Sequence, residues 1–129
     1  MIQRATFGSD VLGLFEVIWV FDRTTRPPKS KMVVCLSYTE GWFLRVNTSG
    51  RFRPCIAIDK KRNPWLDHDS HVECTLLQFD EFEIEESLRD WKNPVGTLHL
   101  DHKPLILKAL LGERYINRSD KAALVALLG

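Results

Sequence analysis

Apolar positions along the chain fall into short blocks separated by polar, Gly- or Pro-containing punctuation. The first block, Leu14-Phe15-Glu16-Val17-Ile18-Trp19-Val20-Phe21, is rich in β-branched and aromatic side chains and predicts a buried strand. Arg23 to Ser30 contains Pro27-Pro28; neither proline can donate a backbone hydrogen bond, so this stretch is expected to be a loop between strands. Lys31 to Ser37 predicts a second strand, Thr39-Glu40-Gly41 a short turn, and Trp42 to Val46 a third strand that completes a hairpin. Asn47-Thr48-Ser49-Gly50 has turn composition. Phe52 to Ile58 resumes an extended run, which Pro54 restricts to a sheet edge or a bulge. Asp59 to Asp69 reads as a charged loop, and His71 to Phe79 alternates as a fifth strand.

Helical patterns come late. Asp80 is positioned to cap a short helix reaching to Trp91, with Phe82, Leu88 and Trp91 turned inward. Val95 to Leu100 suggests one more short strand. Asp101 is placed as the N-cap of a helix from Lys103 through Leu111, with Pro104 in its first turn and Gly112 at its end. Ser119 or Asn117 caps a final helix in which Leu124, Leu127 and Leu128 form an apolar stripe. Five or six short strands closed by C-terminal helices predict a mainly β fold, a small antiparallel barrel or strongly bent sheet. A parallel α/β arrangement is disfavoured because no helix separates the early strands. No internal repeat interrupts the pattern, and residues 1–129 are read as one domain.

Composition adds three constraints. With 129 residues, 44% hydrophobic and 27% charged, the chain has the balance of a globular domain large enough to bury its own core. Met1 to Asp10 lacks the apolar run of a signal peptide and no stretch has the length to span a bilayer, so a cytoplasmic protein without membrane association is expected. Cys35, Cys74 and Cys55 are odd in number and widely spaced among apolar residues, which reads as small core side chains rather than a disulfide framework.

The net charge of +1 conceals a division along the chain. Arg23 to Arg62 carries ten Lys or Arg against Glu40 and Asp59, a balance of +8, whereas Asn63 to Asp101 carries ten acids against Arg89 and Lys92, a balance of −8. Such asymmetry predicts one face suited to a polyanion and another that pairs with it or meets a partner. Mutual neutralisation across a solvated surface explains the same count.

Candidate chemistry is narrow. There is no C-x-x-C pair and no H-E-x-x-H. His68, His71 and Cys74 recur at three-residue intervals, but in a loop entering a strand they do not converge, and neither metal nor cofactor is expected. His99 and His102 read as surface or interface residues. No nucleophile elbow or phosphate-binding glycine loop is present. What remains is Arg45, Asn47, Thr48, Ser49, Arg51 and Arg53, near the basic loop holding Arg23, Arg26, Lys29 and Lys31. Hydroxyls beside guanidinium groups can position a phosphodiester and stabilise charge developing on it. A polar turn with exposed cations is the plain alternative. Trp42, Phe43 and Phe52 add base stacking only where they point outward, and strand aromatics are more commonly core.

The segments Val17-Ile18-Trp19-Val20-Phe21, Val33-Val34-Cys35-Leu36-Ser37, Asn47-Thr48-Ser49 followed by Phe52-Arg53-Pro54-Cys55-Ile56, and Leu66-Asp67-His68-Asp69-Ser70-His71-Val72 together resemble the PemK/MazF-type toxins. Val95-Gly96-Thr97-Leu98 with Leu105 to Leu110 resembles the family's closing segment and helix. The resemblance implies an SH3-like barrel, a homodimer, and a metal-independent endoribonuclease of a type II toxin-antitoxin system that a small antitoxin protein inhibits. It places Thr48 and Ser49 at the family's active-site Thr/Ser. The family's catalytic Arg stands in an Arg-Pro pair before the second strand; here that pair is Arg26-Pro27, while Lys31 occupies the equivalent position counted back from Ser37. In this reading Thr48 and Ser49 act with Arg26 or Lys31, and Arg23, Lys29, Arg45, Asn47, Arg51 and Arg53 hold single-stranded RNA, which is required because DNA lacks the attacking 2′-hydroxyl. A non-catalytic barrel that binds nucleic acid or protein through the same surface is the alternative, and a metal-dependent hydrolase using His68 and His71 is a weaker one.

Overall fold

A computed structural model describes residues 11–23 and 25–129; the reading of Met1 to Asp10 lies outside them. Six strands, β1 (Glu16–Asp22), β2 (Lys29–Ser37), β3 (Trp42–Asn47), β4 (Cys55–Ile58), β5 (Ser70–Gln78) and β6 (Gly96–Thr97), form one antiparallel sheet in the order β4-β5-β3-β2-β1-β6. The sheet curls into a half-barrel, and with helices α1 (Glu81–Leu88), α2 (Lys103–Leu111) and α3 (Arg118–Leu128) it is the mainly β fold with C-terminal helices that the pattern predicts.

The strands follow from their apolar runs, and their limits from local chemistry. β2 starts at Lys29 rather than Lys31, because Lys29 and Ser30 lie beyond the two prolines and pair with Asp22 and Phe21 of β1. β4 starts at Cys55 and occupies the sheet edge, where Pro54 removes no ladder bond. Gly41 turns the β2–β3 hairpin with a positive φ of 72°.

Helix caps partly match the sequence. Asp80 and Glu83 form a reciprocal capping box at α1, and Asn117 Oδ1 accepts the Asp120 N–H at 2.7 Å to cap α3. Asp101, in contrast, sits inside a 3-10 turn over Leu100–His102 that runs directly into α2, and His99 caps that turn instead. Phe82 and Trp91 are not inward: they are 69% and 91% exposed, and Ile84 is the buried side chain of α1. The helix ends at Leu88, so Trp91 is off it. Phe82 precedes Ile84 by two positions, which turns it to the far side of a helix that meets the sheet along Ile84 and half-buried Leu88.

Period-two alternation divides the sheet between two cores. On one face Val17, Val34, Leu44, Val46, Val72 and Cys74 pack against Ile106, Leu110, Leu124 and Leu128 of α2 and α3. On the other, Ile18, Val20, Val33, Cys35 and Phe43 pack with Leu12 and Ile84. Cys35 and Cys74 are buried, Cys55 is half-buried, and all three are thiols. Burial pushes the Cys74 thiol up to about 12, well away from reactivity.

The second face changes character along its length. In β1, Ile18 and Val20 lead to Asp22; in β2, Cys35 and Val33 give way to Lys31; in β3, Phe43 is followed by Arg45 and Asn47. On the same face β5 contributes Glu73 and His71, paired across the ladder with Arg45 and Asn47. The apolar end lies under α1, and the polar end is open.

Candidate functional site

The open end forms a cleft of about 480 Å³ lined by Arg26, Lys29, Lys31, Arg45, Asn47, Thr48, Ser49, Arg51, Phe52 and Glu73. Eight of the ten residues singled out from the sequence therefore share one concavity. Arg23 and Arg53 do not line it. The Arg23 guanidinium stacks on the Phe21 ring at 5.2 Å, and Arg53 faces a separate apolar groove between β4 and α2, because the chain turns after Phe52 to join the sheet edge.

The floor is a continuous polar network. Arg45 donates from Nε at 2.8 Å and Nη2 at 2.6 Å to Asp22 Oδ2, and from Nη1 at 3.2 Å to Glu73 Oε1. Asn47 Nδ2 donates to the same Glu73 oxygen at 2.9 Å, while its Oδ1 accepts from Lys31 Nζ at 2.9 Å. Two carboxylates thus balance Arg45 and Lys31. Asp22 is only 1% exposed, so this is a buried network rather than a surface pair. Arg45, one of the residues expected to hold RNA, lines the cleft and makes three contacts to the two floor carboxylates.

The rim is different. Arg26, Lys29 and Arg51 are exposed, and no carboxylate among the described residues pairs with them. Three cations without a paired carboxylate among the described residues give the cleft a positively charged rim. Burial, then the Lys29 and Arg45 charges, lower the Lys31 ammonium below its ordinary value, making it a readier proton donor than a surface lysine.

Thr48 and Ser49 stand exposed on the turn after β3, where Ser49 Oγ accepts the Arg51 N–H at 3.2 Å. Gly50 fits this turn against β5: a Cβ there would lie 2.8 Å from the His71 imidazole. Phe52 is 46% exposed at the cleft with the Arg51 guanidinium 5.2 Å from its ring centre, whereas Trp42 and Phe43 are core.

Asp22 and Glu73 were missed by reasoning from the sequence. Their signal was present: each is an acid at a strand position whose alternation places it on the sheet face of buried apolar residues. The acidic stretch otherwise stays away from the cleft. Arg89 pairs with Glu86, Lys92 with Asp90, and Arg62 with Asp101, all at exposed sites. Among the described residues no group of three potential ligands is placed to hold a metal ion, and no helix is long and apolar enough to cross a membrane. No family model, curated protein or solved structure matches the chain.

Proposed function

We propose that the chain is an endoribonuclease whose cleft holds single-stranded RNA and promotes attack of a ribose 2′-hydroxyl on the adjacent phosphorus. The observation that carries this reading is the convergence of Arg26, Lys29 and Arg51, paired with no carboxylate among the described residues, with Lys31 and the Thr48 and Ser49 hydroxyls in one cleft. In the reaction an O2′–P bond forms and the P–O5′ bond breaks, leaving a 2′,3′-cyclic phosphate and a 5′-hydroxyl. The 2′-hydroxyl proton passes to solvent water as the O2′–P bond forms, the rim cations neutralise the phosphorane, Thr48 orients it, and Lys31, with its lowered proton affinity, protonates the departing O5′. Similarity to the PemK/MazF-type toxins extends the proposal to a growth-inhibiting toxin, acting as a homodimer and held in check by a small antitoxin protein.

One observation favours a second reading, RNA binding without cleavage. Glu73 is the carboxylate that lines the cleft, and its Oε1 is already occupied by hydrogen bonds from Arg45 and Asn47 rather than turned free toward a ribose hydroxyl. Incubating the purified protein with matched labelled RNA and DNA, with and without chelator, separates the two. Cleavage predicts RNA fragments with cyclic phosphate ends, intact DNA, and loss of at least tenfold in rate on Lys31→Ala or Arg26→Ala. Intact RNA bound in a salt-dependent manner establishes the second reading, and absence of any binding refutes both.

A further inference from the structure

On the opposite side of the β2–β3 end lies a second pocket of about 250 Å³. It shares Lys29, Lys31, Asn47 and Thr48 with the charged cleft, so the two cavities meet over the end of the sheet. Its chemistry differs. Trp19 and Met32, directly opposite each other on β1 and β2, form a wall with Val46 and Leu66, while Asp67, His68 and Ser70 supply polar groups at the mouth. The Trp19 backbone is anchored, its N–H donating to Asn93 Oδ1 at 2.8 Å and its carbonyl accepting from Asn93 Nδ2 at 3.1 Å, and Lys92 Nζ lies 5.9 Å from the centre of its ring. Ser70 Oγ donates to the His68 carbonyl at 3.0 Å, which holds the mouth in shape.

We propose that this pocket receives one nucleobase adjoining the phosphate held in the cleft. The inference rests on the assignment of the cleft to a phosphodiester. Its volume is below the ~300 Å³ at which sites for drug-sized molecules begin, which suits one planar ring system rather than a whole nucleotide. An indole held in place offers a stacking surface to any base, and hydrogen-bonding groups at the mouth can discriminate among base edges. The shared residues explain the connection: a backbone crossing Thr48 with its phosphate toward Lys29 and Lys31 presents the attached base to the Trp19 side.

The test compares non-cleavable 2′-O-methyl oligonucleotides of equal length and charge, one bearing bases and one abasic, by fluorescence anisotropy at fixed salt. Wild-type protein should bind the base-bearing chain roughly five- to a hundredfold more tightly, the range expected for one stacked base. Trp19→Ala, and Met32→Trp, which fills the pocket, should erase the difference while leaving affinity for the abasic chain and its salt dependence unchanged. Equal wild-type affinity for both chains overturns the base pocket and leaves the phosphodiester cleft standing. Failure to bind either chain overturns both. Retention of the full difference in both folded variants also overturns the pocket, since it would place the stacking at cleft-lining Phe52, and equal wild-type affinity overturns it whether or not a variant folds.

Discussion

Arg45 provides the sharpest separation between a ligand contact and a structural charge. Replacing it with Met removes three hydrogen bonds and leaves Asp22, 1% exposed, without the guanidinium that neutralises it. Glu73 keeps its bond from Asn47 but loses its ionic partner. Breaking a buried ion pair on one side costs about 3–5 kcal/mol, because the remaining charge stays desolvated. For a domain of ordinary stability, about 5–15 kcal/mol, that is a large fraction, and it corresponds to a fall in melting temperature on the order of 10–20 °C. Replacing the whole set, Asp22→Asn with Glu73→Gln, Arg45→Met and Lys31→Met, should recover much of the loss, since no uncompensated charge remains in the network. Arg51→Ala should behave oppositely, leaving the melting temperature within about 2 °C because this exposed cation has little effect on stability. It should reduce the slope of log affinity for single-stranded RNA against log salt by about 0.7, one phosphate contact. Thermal melts and anisotropy titrations of the two variants at several salt concentrations check both statements. An Arg45→Met protein that melts normally yet loses a salt-dependent RNA contact would refute the structural role.

Two further outcomes follow from the same structure. His102 is buried with its Nε2 3.1 Å from Asn63 Nδ2, a donor whose orientation is fixed because Asn63 Oδ1 accepts the His99 N–H; burial lowers the imidazole's proton affinity. Since the unfolded chain then binds a proton that the folded one resists, stability should fall as pH drops below about 6.5, and His102→Asn should flatten that dependence relative to wild type in melts from neutral to mildly acidic pH. Gly41→Ala forces a side chain into positive φ and drives its Cβ into the Phe79 carbonyl oxygen, so denaturant titration should show a loss exceeding about 1 kcal/mol; an unchanged midpoint would contradict this turn geometry.

Much of the candidate site was legible from the chain because its residues are close in sequence. Asn47 to Arg51 run from the last residue of β3 into one turn, and Arg26 to Lys31 from the connection into the start of β2, so local composition pointed to both. Their division into floor and rim was not legible. Arg45 and Arg51 are equivalent as cations in the sequence, but strand alternation directs Arg45 inward toward Asp22 and Glu73, while Arg51 stands beyond the strand end. Arg53 was misplaced for the same kind of reason, since the turn that removes it from the cleft is set by β4 joining the edge of the sheet.

The sequence by itself determined the main strands, the Asp80 helix cap, the restriction of the Pro54 segment to an edge or a bulge and the basic character of the region before Asn63, because each rests on side-chain size, backbone propensity or charge within a few residues. Tertiary structure decided which of two apolar stripes α1 covers, how Asp22, Arg45 and Glu73 meet from three strands, and that the cleft and the Trp19 pocket share one sheet end. Those depend on strand order and register, which bring together residues as distant as Trp19 and His68. Their pairing is a property of the whole buried core, not of any window along the chain.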